Sequence, residues 1–340
     1  MNQRPTPQIF AFLPMFQLFC LRSRRRVLRS VMSAALVLLV ASCEKPPASA
    51  VSEAGATPSA RSGKLKVLTS FLPVQSHATA IAGERASVSQ QLTADTGPHD
   101  FQLTPADVKR LADADLFIVN GAGLESWLEE LMAKAAGSEH RQRPIVVDLS
   151  EGLQLTGNPA PFAATGTVEA GQNPHTWLDP VLASQQTAII LAALQKADPP
   201  NADAYRANAA IYTAELEALD AEFRATLMPL SNKNLVTFHD AFPYLAARYG
   251  LICIGCISEF PEKDPPPQQL AALVDAIRRA HVGVLFAETG YAPGLLKEIA
   301  RQTGARVSEL DTMEVGTGHP TAYLDRMRQN LAALEAAFTP

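Results

Sequence analysis

The sequence is poor in aromatics, in cysteine and in charge. Only 6% of its 340 residues are aromatic, too few for the stacking platforms that grip single-stranded nucleic acid. Charged residues make up 19%, with a net charge of −5. Even that understates the acidity. Residues 1–42 hold six arginines (Arg4, Arg22, Arg24, Arg25, Arg26, Arg29) and no acid, so beyond them 23 basic residues face 34 acidic ones, a net of −11. A domain of that sign repels polyanions and favours cations, so no nucleic-acid partner is expected. No Ser nucleophile elbow, P-loop or dinucleotide fingerprint is present. What is there is a 47% apolar chain, enough for two globular domains and too much for bulk disorder.

The first segment reads as an export signal. A basic stretch, Arg22 to Arg29, precedes an apolar run of ten, Val31 to Val40, and then Val40-Ala41-Ser42-Cys43. That is the order of a secretory signal peptide, and ten residues are half of the about 20 needed to span a bilayer. Small residues directly before a cysteine resemble the lipobox of bacterial lipoproteins, which implies cleavage before Cys43 and lipidation of its thiol. Ser23 to Arg29 also resembles a twin-arginine motif. Residues 1–42 are therefore expected as signal peptide and 43–63, rich in Pro, Ala, Ser and Gly, as a lipid-anchored tether. Two cysteines remain, Cys253 and Cys256, in an apolar stretch; they are read as buried small residues, with a disulfide at a bend around Gly255 as the alternative.

From Leu65 strands and helices alternate. β-type runs at Leu65–Ser70, Ala86–Leu92, Asp115–Asn120 and Ile145–Val147 are separated by helical segments. Thr104-Pro105-Ala106-Asp107 is a helix start, with Thr as N-cap, Pro at N1 and Asp in capping-box position. After a Gly/Pro/Ala-rich loop, Pro180 to Ala197 is helical. Then Tyr205, Ala209, Tyr212, Leu216, Leu219 and Phe223 recur at steps of three or four, predicting one amphipathic helix over Ala202–Met228. Past Pro229 the alternation restarts, with strands at Leu235–Phe238, Leu251–Ile257, Val282–Ala287 and Val307–Leu310. The expected fold is α/β: two (β/α)4-type lobes with parallel sheets, residues 64–200 and 231–340, joined by a long helix at 201–230.

The chemistry falls at strand ends, where open α/β sheets bind ligands. His99 follows the second strand in Pro98-His99-Asp100, His175 lies in Pro174-His175-Thr176-Trp177, and His239 ends the first strand of lobe two in Phe238-His239-Asp240. Asp311 follows the last strand, and Glu288 ends the one before it. Three imidazoles and a carboxylate from homologous strand ends can converge on one cation in the cleft between lobes. Their spacings of 76, 64 and 72 residues are unlike a zinc finger or H-E-x-x-H. Asp100, Asp179 and Asp240 flank the histidines, either to orient imidazole N–H groups or to cap helices.

These residues carry a family resemblance. Pro98-His99-Asp100-Phe101 with Thr104-Pro105-Ala106-Asp107-Val108, Asn120 to Leu128, Pro174 to Pro180 and Phe238 to Phe242 resemble the motifs of the metal-specific solute-binding proteins of bacterial ABC importers, the zinc-uptake ZnuA/TroA-like group. The match runs from about Lys64 to Phe338. The resemblance implies two lobes joined by one rigid helix, and metal ligands at His99, His175, His239 and Asp311, with Glu288 as an alternative carboxylate. It implies a protein that captures Zn²⁺ and passes it to an ABC permease and its ATPase, as a lipid-anchored monomer in the cell envelope, and not an enzyme. A third histidine favours zinc, with Mn²⁺ or Fe²⁺ as the alternative cargo. The sequence departs from many zinc members in lacking a His-rich loop, since Gly157 to Gln172 holds no His and only one acid, Glu169. Two competing classes are a zinc metallohydrolase, with Glu288 as general base and an open coordination position, and an adhesin-like lipoprotein with structural metal.

Overall fold

The computed structural model describes residues 63–99, 101–136, 144–156, 172–258, 265–289 and 294–339. The expected signal peptide, the Cys43 lipidation site, the tether and Asp100 lie outside them. Among the described residues no helix is long and apolar enough to cross a membrane.

Two parallel four-stranded sheets form the frame. In the first, β1 (Leu65–Thr69), β2 (Ala86–Gln90), β3 (Leu116–Val119) and β4 (Ile145–Asp148) lie in the order β2-β1-β3-β4. In the second, β5 (Asn234–Thr237), β6 (Ile252–Cys256), β7 (Val284–Glu288) and β8 (Arg306–Leu310) repeat that order as β6-β5-β7-β8. All pairings are parallel. Such sheets are covered on both faces, which is why β3, Leu-Phe-Ile-Val, is buried at every position. In each sheet the strand order reverses beside the central strand, between β1 and β3 and between β5 and β7. Ligands bind outside the carboxyl ends of strands at such points.

Helices α1 (Leu72–Ala82), α2 (Pro105–Ala112) and α3 (Leu128–Ala136) connect the first sheet. The Thr104 amide and hydroxyl both donate to the Asp107 carboxylate, at 2.7 and 2.6 Å, so the sequence-predicted cap is in place. Helix α3 begins only at Leu128, after a turn. The Glu125 carboxylate accepts from the amides of Asn120 (2.8 Å) and Gly121 (3.0 Å), and so holds residues 120–125 in a turn. Gly121 has φ +80°, and a Cβ there would lie 1.7 Å from Asp148 Oδ1, so only glycine fits.

Helix α4 (Pro180–Ala197) is capped by Asp179, whose side chain accepts from the Val181 amide at 2.9 Å. Helix α5 (Ala202–Leu227) has 26 residues, about 39 Å of helix. It buries Tyr205, Ala209, Tyr212, Leu216, Leu219, Phe223 and Leu227, the stripe read from sequence. The second sheet carries α6 (Pro243–Tyr249), α7 (Pro267–Arg279), α8 (Gly294–Thr303) and α9 (Ala322–Phe338). One apolar core runs from Leu65, Phe117 and Trp177, along α5, to Leu235, Phe286 and Leu310 of the second sheet. A smaller core, with Val236, Leu273, Ile277, Leu285 and Ile299, lies under α7 and α8.

Strand β6 pairs Leu235 with Cys253 but Val236 with Gly255, a bulge that skips Ile254. Both cysteines carry thiols; Cys256 is buried and Cys253 half-buried. Burial, with Asp240 nearby, pushes the Cys253 thiol up to about 12, so it is inert as a nucleophile at neutral pH.

Candidate metal centre

Three histidines from distant parts of the chain meet in the cleft, and their fourth partner is Glu314. His99 Nε2 lies 3.4 Å from His175 Nε2, and His239 Nε2 lies 3.1 Å from His175 Nε2. One oxygen, Glu314 Oε1, stands 3.4, 3.2 and 3.3 Å from Nε2 of His99, His175 and His239. A tetrahedral zinc ion about 2.0–2.1 Å from each donor sets donor–donor distances of about 3.3–3.4 Å. The arrangement has the size of that shell. His175, His239 and Glu314 are buried, whereas the His99 side chain is 11% exposed and so forms the solvent side of the site.

The groups behind the histidines fix which nitrogen faces the centre. Asn173 Oδ1 accepts from the His175 backbone amide (3.0 Å) and from its Nδ1–H (2.9 Å), leaving Nε2 with a lone pair. Asn173 is itself held, since its Nδ2 donates to the Asp240 carbonyl at 2.8 Å. The loop before His175 is pinned by Asn120, whose Nδ2 donates to the Pro174 carbonyl at 2.9 Å and whose Oδ1 accepts from Gln186 at 3.1 Å. Behind His239 stands Glu288. One of its oxygens accepts from the His239 amide at 2.9 Å, and the other accepts from Nδ1–H. Three Nε2 atoms and a carboxylate oxygen then face one another, so a proton or a cation must lie between them.

The electrostatics of the two best-buried imidazoles differ. Burial lowers His175 from 6.5 to about 3, outweighing its contact with Glu314. Burial opposes charge on His239 too, but the carboxylates of Glu288 and Glu314 outweigh it and raise that imidazole well above its ordinary value. Glu314 is buried as well, yet the histidines around it, His239 foremost, hold it well below the usual carboxylate range. Burial raises Glu288.

Of the sequence-predicted ligands, His99, His175 and His239 come together and Asp311 does not join them. Asp311 Oδ2 accepts from Arg326 Nη1 at 2.9 Å and Oδ1 from the Met313 amide at 2.8 Å. It turns the chain so that Glu314, three residues on, enters the cluster. Glu288 likewise contacts His239 from behind and is absent from the four converging groups. The strand-end rule selects the first carboxylate after β8; Glu314 sits deeper in the loop before α9. Its one sequence signal is a lone acid between the apolar residues Met313 and Val315. Asp179 caps α4 and pairs with Arg248 Nε at 2.6 Å, so it acts on the helix and not on an imidazole. Asp240 accepts from Asn173 Nδ2 through its carbonyl at 2.8 Å and its Oδ2 at 3.3 Å, so it acts on the residue behind His175.

Two tryptophans fasten the ligand loops. Trp127 Nε1 donates to the Pro98 carbonyl beside His99 at 3.1 Å. Trp177 Nε1 donates to the Thr312 carbonyl at 2.8 Å, tying the His175 loop to the Glu314 loop.

The profile of the family described as ZnuA, zinc-uptake complex component A, periplasmic, matches residues 67–337. The chain is 31% identical over 315 residues to the high-affinity zinc uptake system protein ZnuA of Bacillus subtilis, covering 89% of this chain and 94% of that one. It is 29% identical over 296 residues to the zinc-binding protein AdcA of Streptococcus pyogenes, covering 80% of this chain and 56% of the relative, so it spans little more than half of AdcA. Among solved structures, a mutant of the laminin-binding adhesin Lmb of Streptococcus agalactiae has a TM-score of 0.72 at 32% identity, over 81% of this chain and all of that one. With the two-sheet fold and the profile both extending over most of its length, the chain belongs to the family of zinc-uptake complex component A, the periplasmic solute-binding proteins of zinc importers.

Proposed function

We propose that this protein captures Zn²⁺ outside the cytoplasm and delivers it to an ABC permease driven by its ATPase. The observation that carries this is the donor set: His99, His175 and His239 through Nε2, and Glu314 through Oε1, with both other imidazoles 3.1–3.4 Å from His175, Glu314 3.2–3.4 Å from all three, and all four ligand atoms within 4.8 Å of one another. Imidazole-rich sets suit zinc, and manganese leans towards oxygen donors. Four protein donors close a tetrahedral shell and leave no open position for a catalytic water. That favours transport over hydrolysis. The ion is cargo, and it enters past His99, the donor nearest to solvent. Cys43 carries the lipid that keeps the protein at the membrane, and the protein acts as a monomer.

Binding is coupled to protons. At neutral pH His175 is neutral and ready to donate, whereas Glu288 and Glu314 hold a proton on His239. Zinc displaces that proton, so affinity falls as pH falls.

Calorimetry with Zn²⁺ and Mn²⁺ on the purified protein and on His239→Ala tests the reading. The variant is expected to lose more than the about 10–100-fold typical of residues behind the ligands. Equal zinc affinity in the two proteins would overturn the ligand assignment, and tighter binding of Mn²⁺ than Zn²⁺ would change the cargo. Turnover of an ester or amide by the zinc form would favour the hydrolase. Unfolding on chelation would favour a structural metal.

A further inference from the structure

Glu314 is delivered by a loop braced from helix α9 behind it. Both oxygens of Asp311 are engaged, one by the Met313 amide and one by Arg326 Nη1. The same Nη1 also donates to the Val315 carbonyl at 3.1 Å, so one guanidinium nitrogen grips the chain on both sides of Glu314. One helical turn further along α9, Asn330 closes a ring with the Asp311 backbone: Oδ1 accepts from its amide at 2.8 Å and Nδ2 donates to its carbonyl at 2.7 Å. Arg326 needs room to do this. A Cβ at Gly316, where φ is +114°, would lie 2.6 Å from Arg326 Nη2 and 2.8 Å from Leu72 Cδ1. The far side of the loop is fixed to the first lobe, because the Gly316 amide donates to the Ala94 carbonyl at 2.7 Å and Gln90 Nε2 donates to the Gly316 carbonyl at 2.9 Å.

We propose that the Arg326–Asp311 pair is a positioning device that presents a single oxygen of Glu314 to the ion, and that it thereby sets the preference for a four-coordinate cation over one of higher coordination number. This rests on the reading that the four donors bind metal. All three imidazoles approach the same oxygen, Oε1. One donor atom from each of four groups makes a tetrahedral shell, which zinc takes readily. A carboxylate freed to tilt offers both oxygens and room for water. That raises the coordination number and the oxygen share, which suits Mn²⁺. Arg326 and Asp311 bond the chain at residues 313 and 315, on either side of Glu314, so their effect on the ion passes through the loop.

Competition calorimetry with Zn²⁺ and Mn²⁺ on wild type, Arg326→Gln and Arg326→Lys tests this, with apo-protein melting as a fold check. Arg326→Gln is expected to lose about 10–100-fold in zinc affinity, the range for groups behind a ligand, while Mn²⁺ affinity changes by less than about threefold. The Zn²⁺/Mn²⁺ ratio therefore narrows by about tenfold or more. Arg326→Lys, which keeps the positive charge without the planar fork, is expected to restore part of the ratio. An unchanged ratio in Arg326→Gln overturns the proposal, whether both affinities fall together or neither moves. Should Arg326→Gln fail to fold, Asp311→Asn is read by the same ratio. Wild type that binds neither ion overturns the four-donor reading and this proposal together; selective wild type with an unaltered Arg326→Gln ratio overturns this proposal alone.

Discussion

The two lobes supply the site with different things. The first holds its buried ligand by uncharged groups: His175 rests on Asn173, and its loop on Asn120, Gln186 and Thr176. The second works with charge: Glu288 stands behind His239, and the Asp311–Arg326 pair behind Glu314. The sheets share one strand order, so the contrast comes from side chains at equivalent strand ends and not from topology. Its result is visible in the imidazoles. His175 is lowered to about 3 by burial, whereas its neighbour His239 is raised well above 6.5 by the carboxylates beside it. Lobe one holds its imidazole with uncharged groups; lobe two surrounds its own with negative charge.

Removing the charge behind His239 is the strongest way to break that contrast. Glu288→Gln is expected to weaken zinc by about 10–100-fold. It also takes away one of the two carboxylates that keep a proton on His239, so fewer protons are released per zinc bound at pH 7. Calorimetry in buffers of different ionisation enthalpy counts those protons. Unchanged proton release would mean that Glu288 acts by shape alone.

The matching change in lobe one is smaller. Asn173→Ala removes the acceptor that fixes the His175 tautomer and is expected to weaken zinc by about tenfold, near the lower end of the same range. Proton release should stay at the wild-type value, because Asn173 carries no charge. If it fell as in Glu288→Gln, the division of labour between lobes would not hold.

The smallest effect on zinc, none, is expected at His77. This imidazole lies in α1, fully buried, with Nδ1 3.0 Å from Tyr212 Oη and its ring 4.5 Å from Tyr323. Among the described residues no carboxylate is bonded to it, and burial lowers it from 6.5 to about 3. A histidine so depressed is neutral in the fold but takes up a proton when unfolded. Its contribution is complete above pH 6.5 and is lost as pH falls from 6.5 towards 3. In His77→Gln the stability of the zinc-free protein should decline less between pH 7 and pH 4.5, as read by denaturant midpoints. An acid limb identical to wild type would show that His77 is not among the groups that set it.

Much of this was legible in the sequence because it rests on local signals. Pro180–Ala197 shows its Asp179 cap and Ala202–Leu227 its apolar steps directly, and the two runs of strand and helix predict the paired parallel sheets. The three histidines were found because each sits at a strand end or helix start. Glu314 was not, since nothing local distinguishes it; its place depends on Met313 at φ +60° and on Arg326, on a different element, holding Asp311. Helix α3 started late for a similar reason, a carboxylate bonding backbone amides earlier in the chain. In each case a side chain bonds the backbone to shape a turn, which periodicity does not register.

The continuous apolar core has a kinetic consequence. Swinging the second sheet away from the first would wet residues such as Phe242, Tyr249 and Phe286, which share their packing with α5 and Trp177. Exposing even about 400 Å² of such surface costs on the order of 10 kcal/mol. Wide gaping is thus rare, and on the proposed reading release of the ion would come through the few loop contacts near His99 and Glu314 and not through separation of the sheets.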